Sequence, residues 1–225
     1  MISVIVPLYN GIEFLEEALL SVKAQIYTDW ECLVGVNGHG PDGGEVFRRA
    51  TALVSSLADP RFRVVNLPEV RGAPAAIEAL IGLAAGEWIA HLDADDKWHP
   101  MKLHCQMKSI VEFPNITFCG TWCSYFGDWQ GGPHIVGGFV PQGEFRKMNP
   151  MVHSSMLFSK RNRQPFTEEF VTYDYDCWIR NLLAGHVFYN VPLVLTEHRV
   201  YSGSHFNASG LQKPELVRAK YFSSP

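Results

Sequence analysis

The first hundred residues alternate between short apolar runs and stretches whose apolar residues recur at helical spacing. The runs predict buried strands because they are short and rich in β-branched residues, and the spaced stretches predict amphipathic helices. This alternation predicts a mostly parallel sheet with helices on both faces. In chain order the predicted elements are strand Ile2–Val6, helix Ile12–Val22, strand Glu31–Val36, helix Val46–Leu57, strand Arg63–Leu67, helix Ala75–Ala85 and strand Trp88–Leu92.

The pattern becomes looser after residue 100. Gly- and Pro-rich stretches separate the apolar segments there, and neither an internal repeat nor a low-complexity segment is found. We expect a polar, irregular segment over Phe158–Phe170 and a loose tail from Ser202 onward. The predicted elements are helix Met101–Glu112, strands near Thr117–Tyr125, a loop over Gly127–Gly138, helix Tyr175–Leu183 and strand Val187–Leu195.

Composition narrows the class of protein. The chain has 225 residues, of which 47% are hydrophobic and 19% charged, and this is the profile of an ordinary globular domain. Its formal net charge of -4 lacks the basic excess that binding a nucleic-acid backbone requires, so we expect no nucleic-acid partner.

The cysteines and the apolar runs indicate a compartment. The 5 cysteines are scattered and odd in number, which favours buried, reduced thiols over a zinc site or a disulfide framework. No apolar run reaches the roughly 18 residues that a membrane helix needs, and the start of the chain lacks the features of a signal peptide. We therefore expect a cytoplasmic protein without a transmembrane segment.

An acidic cluster follows the fourth predicted strand. Ligands of open parallel sheets bind beyond the carboxyl ends of the strands, and Asp93, Asp95 and Asp96 lie at such an end. Three carboxylates in four residues repel one another, and a bound Mn²⁺ or Mg²⁺ would offset that cost. The alternative is a solvated acidic turn that caps the next helix.

The segment from Gly86 to Leu103 carries the most specific motif. It reads GEWIAHLDADDKWHPMKL and resembles the signature G-E-[YW]-I-x-x-L-D-x-D-D-x-[WY]-x-P-x-[KR]-L of glycosyltransferase family 2, inverting enzymes with the GT-A fold. The resemblance extends over nearly the whole chain. Its other landmarks are Ser3–Asn10, Gly72, Asn149–Met156 and Tyr173–Arg180.

The resemblance implies individual roles. Asp93 corresponds to an acid that faces the ribose or the metal, Asp95 to the acid that joins the metal to the diphosphate, and Asp96 to a supporting acid. Tyr9 corresponds to a ring that lies against the base, and its alternative is plain packing. The remaining implied donor contacts are Pro7, Ala94, and the pair Arg199 and Ser204 at the diphosphate, for which the alternative is an exposed loop.

Asp174 corresponds to the second acid of the family's Glu-Asp pair, the general base. An acceptor hydroxyl needs a carboxylate within hydrogen-bond reach to take its proton. Asp174 also precedes the predicted helix, so an N-cap role is open and could coexist with catalysis. Asp176 falls in the first helical turn, and we interpret it as structural.

The chain departs from the family at several positions. Asn37 stands where the family usually has a carboxylate that binds the base, and an amide favours a pyrimidine, because it can offer its oxygen to the N3–H of uracil or thymine. Tyr173 replaces the Glu of the acidic pair, and Tyr201 replaces a usual His. Ile77 and Glu78 replace a usual Arg-Asn pair, and Arg71 is a candidate substitute that contacts base or phosphate.

The resemblance thus implies a single GT-A-type domain over residues 1–225. Residues 1–100 form its nucleotide-binding half, residues 101–204 its acceptor and catalytic half, and residues 205–225 a tail. The implied activity is sugar transfer from a nucleoside diphosphate, UDP or dTDP, to a glycan, lipid-linked or other acceptor, compatible with peripheral membrane association. The alternatives are an inactive sugar-nucleotide-binding module and a sugar nucleotidyltransferase.

Overall fold

The computed structural model describes residues 1–41, 43–202 and 213–222. Nine strands of these residues form one sheet in the order β3-β2-β1-β4-β8-β6-β9-β5, with β7 paired to β9. The strands are β1 (Ile2–Leu8), β2 (Trp30–Asn37), β3 (Phe62–Leu67), β4 (Trp88–His91), β5 (Lys97–Trp98), β6 (Phe118–Gly127), β7 (Gly138–Phe139), β8 (Leu157–Ser159) and β9 (Phe188–Val200).

Seven helices and one short turn complete the described elements. The turn, residues 153–155, is a single 3₁₀ turn that precedes β8. The helices are α1 (Leu15–Lys23), α2 (Gly44–Ser56), α3 (Ala73–Leu83), α4 (Lys102–Glu112), α5 (Gln142–Lys147), α6 (Tyr173–Leu183) and α7 (Pro214–Phe222).

The N-terminal half of the sheet is parallel, as the alternation of elements predicts. Strand β1 lies between β2 and β4, and both pair with it in parallel. The second half is mixed, because β8 runs antiparallel to both β4 and β6 while β6 and β9 are parallel. The predicted fold class, a single α/β domain with a mostly parallel sheet, is confirmed.

Side chains of β1 alternate between two apolar clusters, one on each face of the sheet. Val4 packs in the cluster that contains Leu19 of α1 and Leu103 of α4, whereas Ile5 packs in the cluster that contains Leu80 of α3 and Trp178 of α6. Since strand side chains point alternately to opposite faces, fully buried runs such as this one require a cover on both sides. Helices therefore lie on both faces.

The second half contains elements that the sequence pattern did not predict. Strand β8 lies within the sheet although Phe158–Phe170 was expected to be irregular, and α5 follows the predicted loop. Strand β9 continues past Leu195 to Val200. The expected loose tail includes α7, whose Val217 is fully buried. Each of these elements is short or polar, so no apolar period identifies it, and tertiary pairing determines it.

Helix α7 is attached to α6 through a buried carboxylate. The Tyr221 hydroxyl donates to Asp176 Oδ1 at 2.7 Å, and Arg180 Nε donates to Asp176 Oδ2 at 2.8 Å. The Thr167 hydroxyl reaches Oδ2 at 3.3 Å. Asp176 is fully buried, and its contacts agree with the structural interpretation of this residue.

Asp176→Asn is expected to lower the free energy of unfolding by about 2 to 3 kcal/mol, because one buried partner of Arg180 loses its charge. Chemical denaturation monitored by circular dichroism measures this. Glu169→Gln is the control, since Glu169 forms an exposed ion pair with Lys220 of α7. Loss of an exposed ion pair costs less than about 1 kcal/mol. Equal losses in the two variants would contradict the structural role of Asp176.

Candidate active site

The carboxyl ends of β1, β2 and β4 meet at one edge of the sheet because these strands are parallel and adjacent. The turn 153–155, the first turn of α6 and the end of β9 border the same edge. The predicted acids of the chain therefore converge here from segments far apart in sequence, as expected for a sheet whose ligands bind beyond the strand ends.

The Asp93 carboxylate is held at both oxygens. His91 Nε2 lies 2.9 Å from Oδ1, and the Ser154 hydroxyl donates to Oδ2 at 2.8 Å. Ser154 Oγ also accepts a hydrogen bond from the backbone N–H of Asp93 at 3.0 Å. Burial acts to raise the pKa of Asp93, but His91, His153 and Ser154 outweigh it and hold this pKa below its usual range. Asp93 is thus ionised and fixed in orientation.

Two imidazoles stack beside this carboxylate. The rings of His91 and His153 are 3.7 Å apart, and His153 Nδ1 lies 3.8 Å from Asp93 Oδ2. Burial, and then the neighbouring His91, lowers the pKa of His153 to about 3. Within the described residues these three side chains form a group that could hold a metal ion, with ligand atoms within 4.8 Å of one another.

Asp95 and Asp96 have different surroundings. Burial, with the charges of Asp96 and Asp93, raises the pKa of Asp95 to about 7. The Asp96 carboxylate is buried and accepts the backbone N–H of Arg199 at 2.7 Å, and His198 Nδ1 lies 2.9 Å from its other oxygen. Burial acts to lower the pKa of His198, but the hydrogen bond to Asp96 and the negative charge of Asp96 outweigh burial and raise this pKa to about 9. Asp96 therefore connects the acidic loop 93–96 to β9. The negative charge of Asp95 is unfavourable because of burial and the two neighbouring acids.

Arg199 reaches the acidic loop but is engaged there. Its Nε donates to the Asp95 carbonyl oxygen at 3.0 Å, and its Nη2 pairs with Glu17 of α1. The rings of Phe14 and Phe126 lie 4.4 and 4.3 Å from the guanidinium carbon. The structure places Arg199 beside the predicted metal loop, so its contact with a diphosphate stays a prediction, and the exposed-loop alternative is wrong for this residue.

Tyr9 and Asn37, the residues expected to contact the base, lie at the ends of β1 and β2. Asn37 is buried, with Nδ2 3.5 Å from the Val70 carbonyl oxygen, and its Oδ1 is buried without a hydrogen-bond partner among the described residues. Tyr9 is 55% exposed, and the ring of His39 stacks on it at 5.0 Å. Gly38 has φ +75° and lies against Tyr9, so a side chain would be strained there. Tyr9 thus presents a partly exposed ring at this edge, and Asn37 keeps an unpaired amide oxygen in the interior among the described residues.

Asp174 lies inside the first turn of α6, not at its N-cap. The helix begins at Tyr173 and the N-cap is Thr172, so the predicted N-cap position was wrong by two residues. Asn149 Nδ2 donates to Asp174 Oδ2 at 2.8 Å. Burial raises the pKa of Asp174 to about 6, with Asp93 acting in the same direction and hydrogen bonds from the Tyr175 N–H and Asn149 opposing it.

The remaining predicted contacts are spread around this edge. Pro7 lies in β1, one residue before its end, and Ala94 is buried in the apolar core between the two acids. Arg71 is exposed in the loop before α3, next to Gly72. Ser204 lies outside the described residues.

Several contact residues were not predicted. His91, His153 and Ser154 surround Asp93, and Glu17 forms an ion pair with Arg199. For His153 and Ser154 the sequence signal was their place in the landmark Asn149–Met156, to which no role was assigned.

The family model for glycosyl transferase family 2 matches residues 3–183. The chain belongs to this family. The prediction from residues Gly86–Leu103 is therefore confirmed, and the predicted glycosyltransferase is confirmed at the level of the family. Within the described residues no helix is long and apolar enough to cross a membrane.

Two curated relatives of this family 2 chain are named as glycosyltransferases of bacteria. The putative teichuronic acid biosynthesis glycosyltransferase TuaG of Bacillus subtilis is 34% identical over 112 residues, 50% of this chain and 42% of the relative. WfgD of Escherichia coli, a UDP-Glc:alpha-D-GlcNAc-diphosphoundecaprenol beta-1,3-glucosyltransferase, is 26% identical over 213 residues, 91% of this chain and 79% of the relative.

Solved structures share the fold of this family 2 chain. S. aureus TarS 1-349 in complex with UDP-GlcNAc superposes with a TM-score of 0.75 at 17% identity, over 92% of this chain and 61% of that one. The mannosyltransferase PcManGT of Pyrobaculum calidifontis, in complex with GDP-Man and Mn2+, gives a TM-score of 0.67 at 19% identity, over 98% and 61%. The chain thus spans about three fifths of the structures that it matches.

Proposed function

We propose that the chain is an inverting glycosyltransferase that moves a sugar from UDP or dTDP to an acceptor hydroxyl with the help of a divalent metal ion. The observation that supports this most strongly is the meeting of Asp93 and Asp95 with Asp174 at one sheet edge. Burial raises the pKa of Asp174, and the charge of Asp93 lies near enough to act in the same direction. Donor-side acids and a base face one space.

The acids of this edge suit a hard divalent cation. Asp95 is ionised only at a cost, because it is buried and because Asp96 and Asp93 are like charges beside it, and a cation would offset that cost. Carboxylate oxygens are the ligands that Mg²⁺ and Mn²⁺ prefer. We assign Asp95 as the main ligand and Asp93 as the second. A bound cation would neutralise charge on the leaving diphosphate.

Asp174 is assigned as the general base. Its raised pKa makes it a stronger proton acceptor than an exposed carboxylate while it remains ionised at neutral pH. Asn149 fixes Oδ2 through its hydrogen bond. Each carboxylate oxygen has two acceptor positions, so the group can still accept a hydrogen bond from an acceptor hydroxyl. Attack by the deprotonated hydroxyl opposite the diphosphate breaks the bond between anomeric carbon and phosphate oxygen in a single displacement, and it inverts the anomeric centre.

The remaining assignments concern the donor. Arg199 adds positive charge next to the metal loop, and Tyr9 offers the base its ring. The free Oδ1 of Asn37 suits the N3–H of uracil or thymine. The relative WfgD, named for UDP-Glc, and TarS, solved with UDP-GlcNAc, support a uracil nucleotide. WfgD also supports a lipid-linked sugar as acceptor.

Uridine and thymidine diphosphates are expected to compete for the site at similar concentrations, and guanosine diphosphate at concentrations at least about tenfold higher. The reason is that guanine presents two donors side by side, for which one amide oxygen of Asn37 is insufficient. Displacement of a fluorescent UDP analogue measures the three affinities. Asn37→Asp is the informative variant, since a carboxylate should narrow the difference. A wild-type preference for GDP would contradict the base assignment.

The activity itself is tested with a panel of UDP-, dTDP- and GDP-sugars in the presence of Mn²⁺. Thermal shift identifies the donors that bind, because a ligand of the native state raises the unfolding midpoint. Release of nucleoside diphosphate then measures turnover, and ¹H NMR of the product gives the anomeric configuration. Binding without turnover on lipid-linked and free sugar acceptors would favour an inactive module, and retained configuration would exclude the displacement proposed above.

A further inference from the structure

We infer that Ser154 is a positioning residue that aims the Asp93 carboxylate at the donor, and that Trp98 and Gln106 hold Ser154 in place for this purpose. This inference rests on the proposed function, because it concerns the acid assigned to the donor side. It gives a physical reason for three residues to which the donor-binding assignments give no role.

The contact between Ser154 and Asp93 is reciprocal. The hydroxyl donates its single hydrogen to Asp93 Oδ2 at 2.8 Å and accepts the N–H of Asp93 at 3.0 Å. A hydroxyl has one donor and two acceptor positions, so this one atom fixes both the side chain and the backbone of Asp93. The two residues are 61 apart in sequence, and Ser154 is 1% exposed. Ser154 therefore acts on Asp93 from the protein interior.

The 3₁₀ turn that carries Ser154 is fixed by hydrogen bonds from the segment that follows Asp93. Trp98 Nε1 donates to the Ser154 carbonyl oxygen at 2.7 Å, and Gln106 Nε2 donates to the Ser155 carbonyl oxygen at 2.9 Å. Both donors are buried. Asp93, the Trp98 indole and the Gln106 amide thus come from one stretch of 14 residues. This stretch forms hydrogen bonds with the turn 153–155 through all three groups.

The orientation of the Gln106 amide is itself determined. Lys102 Nζ, fully buried, donates to Gln106 Oε1 at 2.9 Å, and the Trp98 ring lies 3.9 Å from the same ammonium group. Because the carbonyl oxygens of Ser155 and Cys119 can only accept, Gln106 must turn its NH₂ toward them and its oxygen toward Lys102. This chain of contacts ends at Asp93.

Ser155 provides a matched control within the same turn. It is also fully buried, yet its hydroxyl donates to the Val152 carbonyl oxygen at 2.7 Å and accepts the N–H of Thr121 at 3.2 Å. None of these atoms belongs to Asp93. Loss of this hydroxyl should weaken the fold, whereas loss of the Ser154 hydroxyl should re-aim an acid that contacts the donor.

Ser154→Ala is expected to raise the KM for the donor and weaken UDP binding in Mn²⁺ by about ten- to a hundredfold, the usual effect of removing a partner that orients a ligand-binding side chain. Turnover at saturating donor should change by less than about threefold, since the lost interaction stabilises the bound donor and the transition state equally. Ser155→Ala should keep the wild-type KM and UDP affinity while its unfolding midpoint falls. Steady-state kinetics, isothermal titration calorimetry with UDP, and thermal unfolding measure these quantities.

Ser154→Cys fills the site with a slightly larger group that is a poor hydrogen-bond donor, so it decides the question if the alanine variant does not fold. Wild-type KM and UDP affinity in a folded Ser154 variant, or an equal KM increase in Ser155→Ala, would overturn the inference while the proposed function stands. A wild-type chain that neither binds UDP nor turns over any nucleotide sugar would overturn the proposed function, and this inference with it.

Discussion

Asp174→Asn is expected to lower turnover by a factor of about a hundred to ten thousand, the usual effect of losing a positioned base. An amide cannot take a proton from the acceptor hydroxyl at any accessible pH. Donor affinity should stay within a few-fold of wild type, because Asp174 is outside the assigned metal set. Turnover of the donor identified by the panel, with its acceptor, measures the loss, and UDP titration measures binding.

The fold should survive this substitution. A carboxyl group whose pKa is raised on folding destabilises the folded state once both states are ionised, so at neutral pH the charge of Asp174 costs stability. Activity has the opposite pH dependence, because the base is inactive when protonated and active when ionised. Wild-type turnover should therefore rise with pH through about 6, the pKa of Asp174, which burial and the charge of Asp93 raise and which the hydrogen bonds from the Tyr175 N–H and Asn149 lower.

Asp176→Asn is the matched control for this result. It lies two residues along the same helix, but its carboxylate faces Arg180 and Tyr221 in the interior. Turnover of that variant, measured below its unfolding temperature, should stay within about threefold of wild type. Near-normal turnover of Asp174→Asn together with a large loss in Asp176→Asn would reverse the assignment. Full activity in both variants would place the base elsewhere.

Asp95→Asn is expected to abolish most of the metal dependence of donor binding. For wild type, Mn²⁺ should tighten UDP binding, and for the variant the ratio of affinities with and without Mn²⁺ should fall by at least about tenfold, because one anionic ligand is lost. Titration calorimetry with UDP gives both affinities. The substitution removes a charge that burial and two neighbouring acids disfavour, so the unfolding midpoint should not decrease.

Asp96→Asn separates metal binding from loop stability. Asp96 is the partner of protonated His198 and of the Arg199 N–H, so its loss should lower the unfolding midpoint, while the Mn²⁺ effect on UDP binding is kept in the folded fraction. Equal Mn²⁺ dependence in Asp95→Asn and wild type would contradict the metal assignment. A loss of Mn²⁺ dependence confined to Asp96→Asn would move the metal to that carboxylate.

The sequence predicts the parallel half of the fold because its signals are local. Each strand from β1 to β4 is an apolar run bounded by turn residues, and each helix up to α4 has an apolar stripe. Strand β8 has three residues and α7 has weak amphipathicity, so their positions depend on partners distant in sequence. The end of β9, with Glu197, His198 and Arg199, is polar because it borders the site.

The same distinction holds within the site. Asp93, Asp95 and Asp174 were selected because they occupy motif positions, and the structure brings them to one sheet edge. The contacts that control them were not predictable, since Ser154 is 61 residues from Asp93 and Glu17 is 182 residues from Arg199. No local pattern records such pairs. The departure at Asn37 was visible in the sequence, but its free oxygen only became evident from the fold.

The position of β8 between β4 and β6 has a consequence for synthesis on the ribosome. Strand β4 ends at His91, and its second neighbour in the sheet begins at Leu157, roughly 65 residues later. At a translation rate of roughly 5 to 20 residues per second, one edge of β4 waits about 3 to 13 seconds for its partner. An unpaired edge is a template for association with other chains. The nascent chain is therefore most vulnerable to aggregation while the first half is complete and the second is still emerging, and a chaperone that binds unfolded chains would have its greatest effect in that interval.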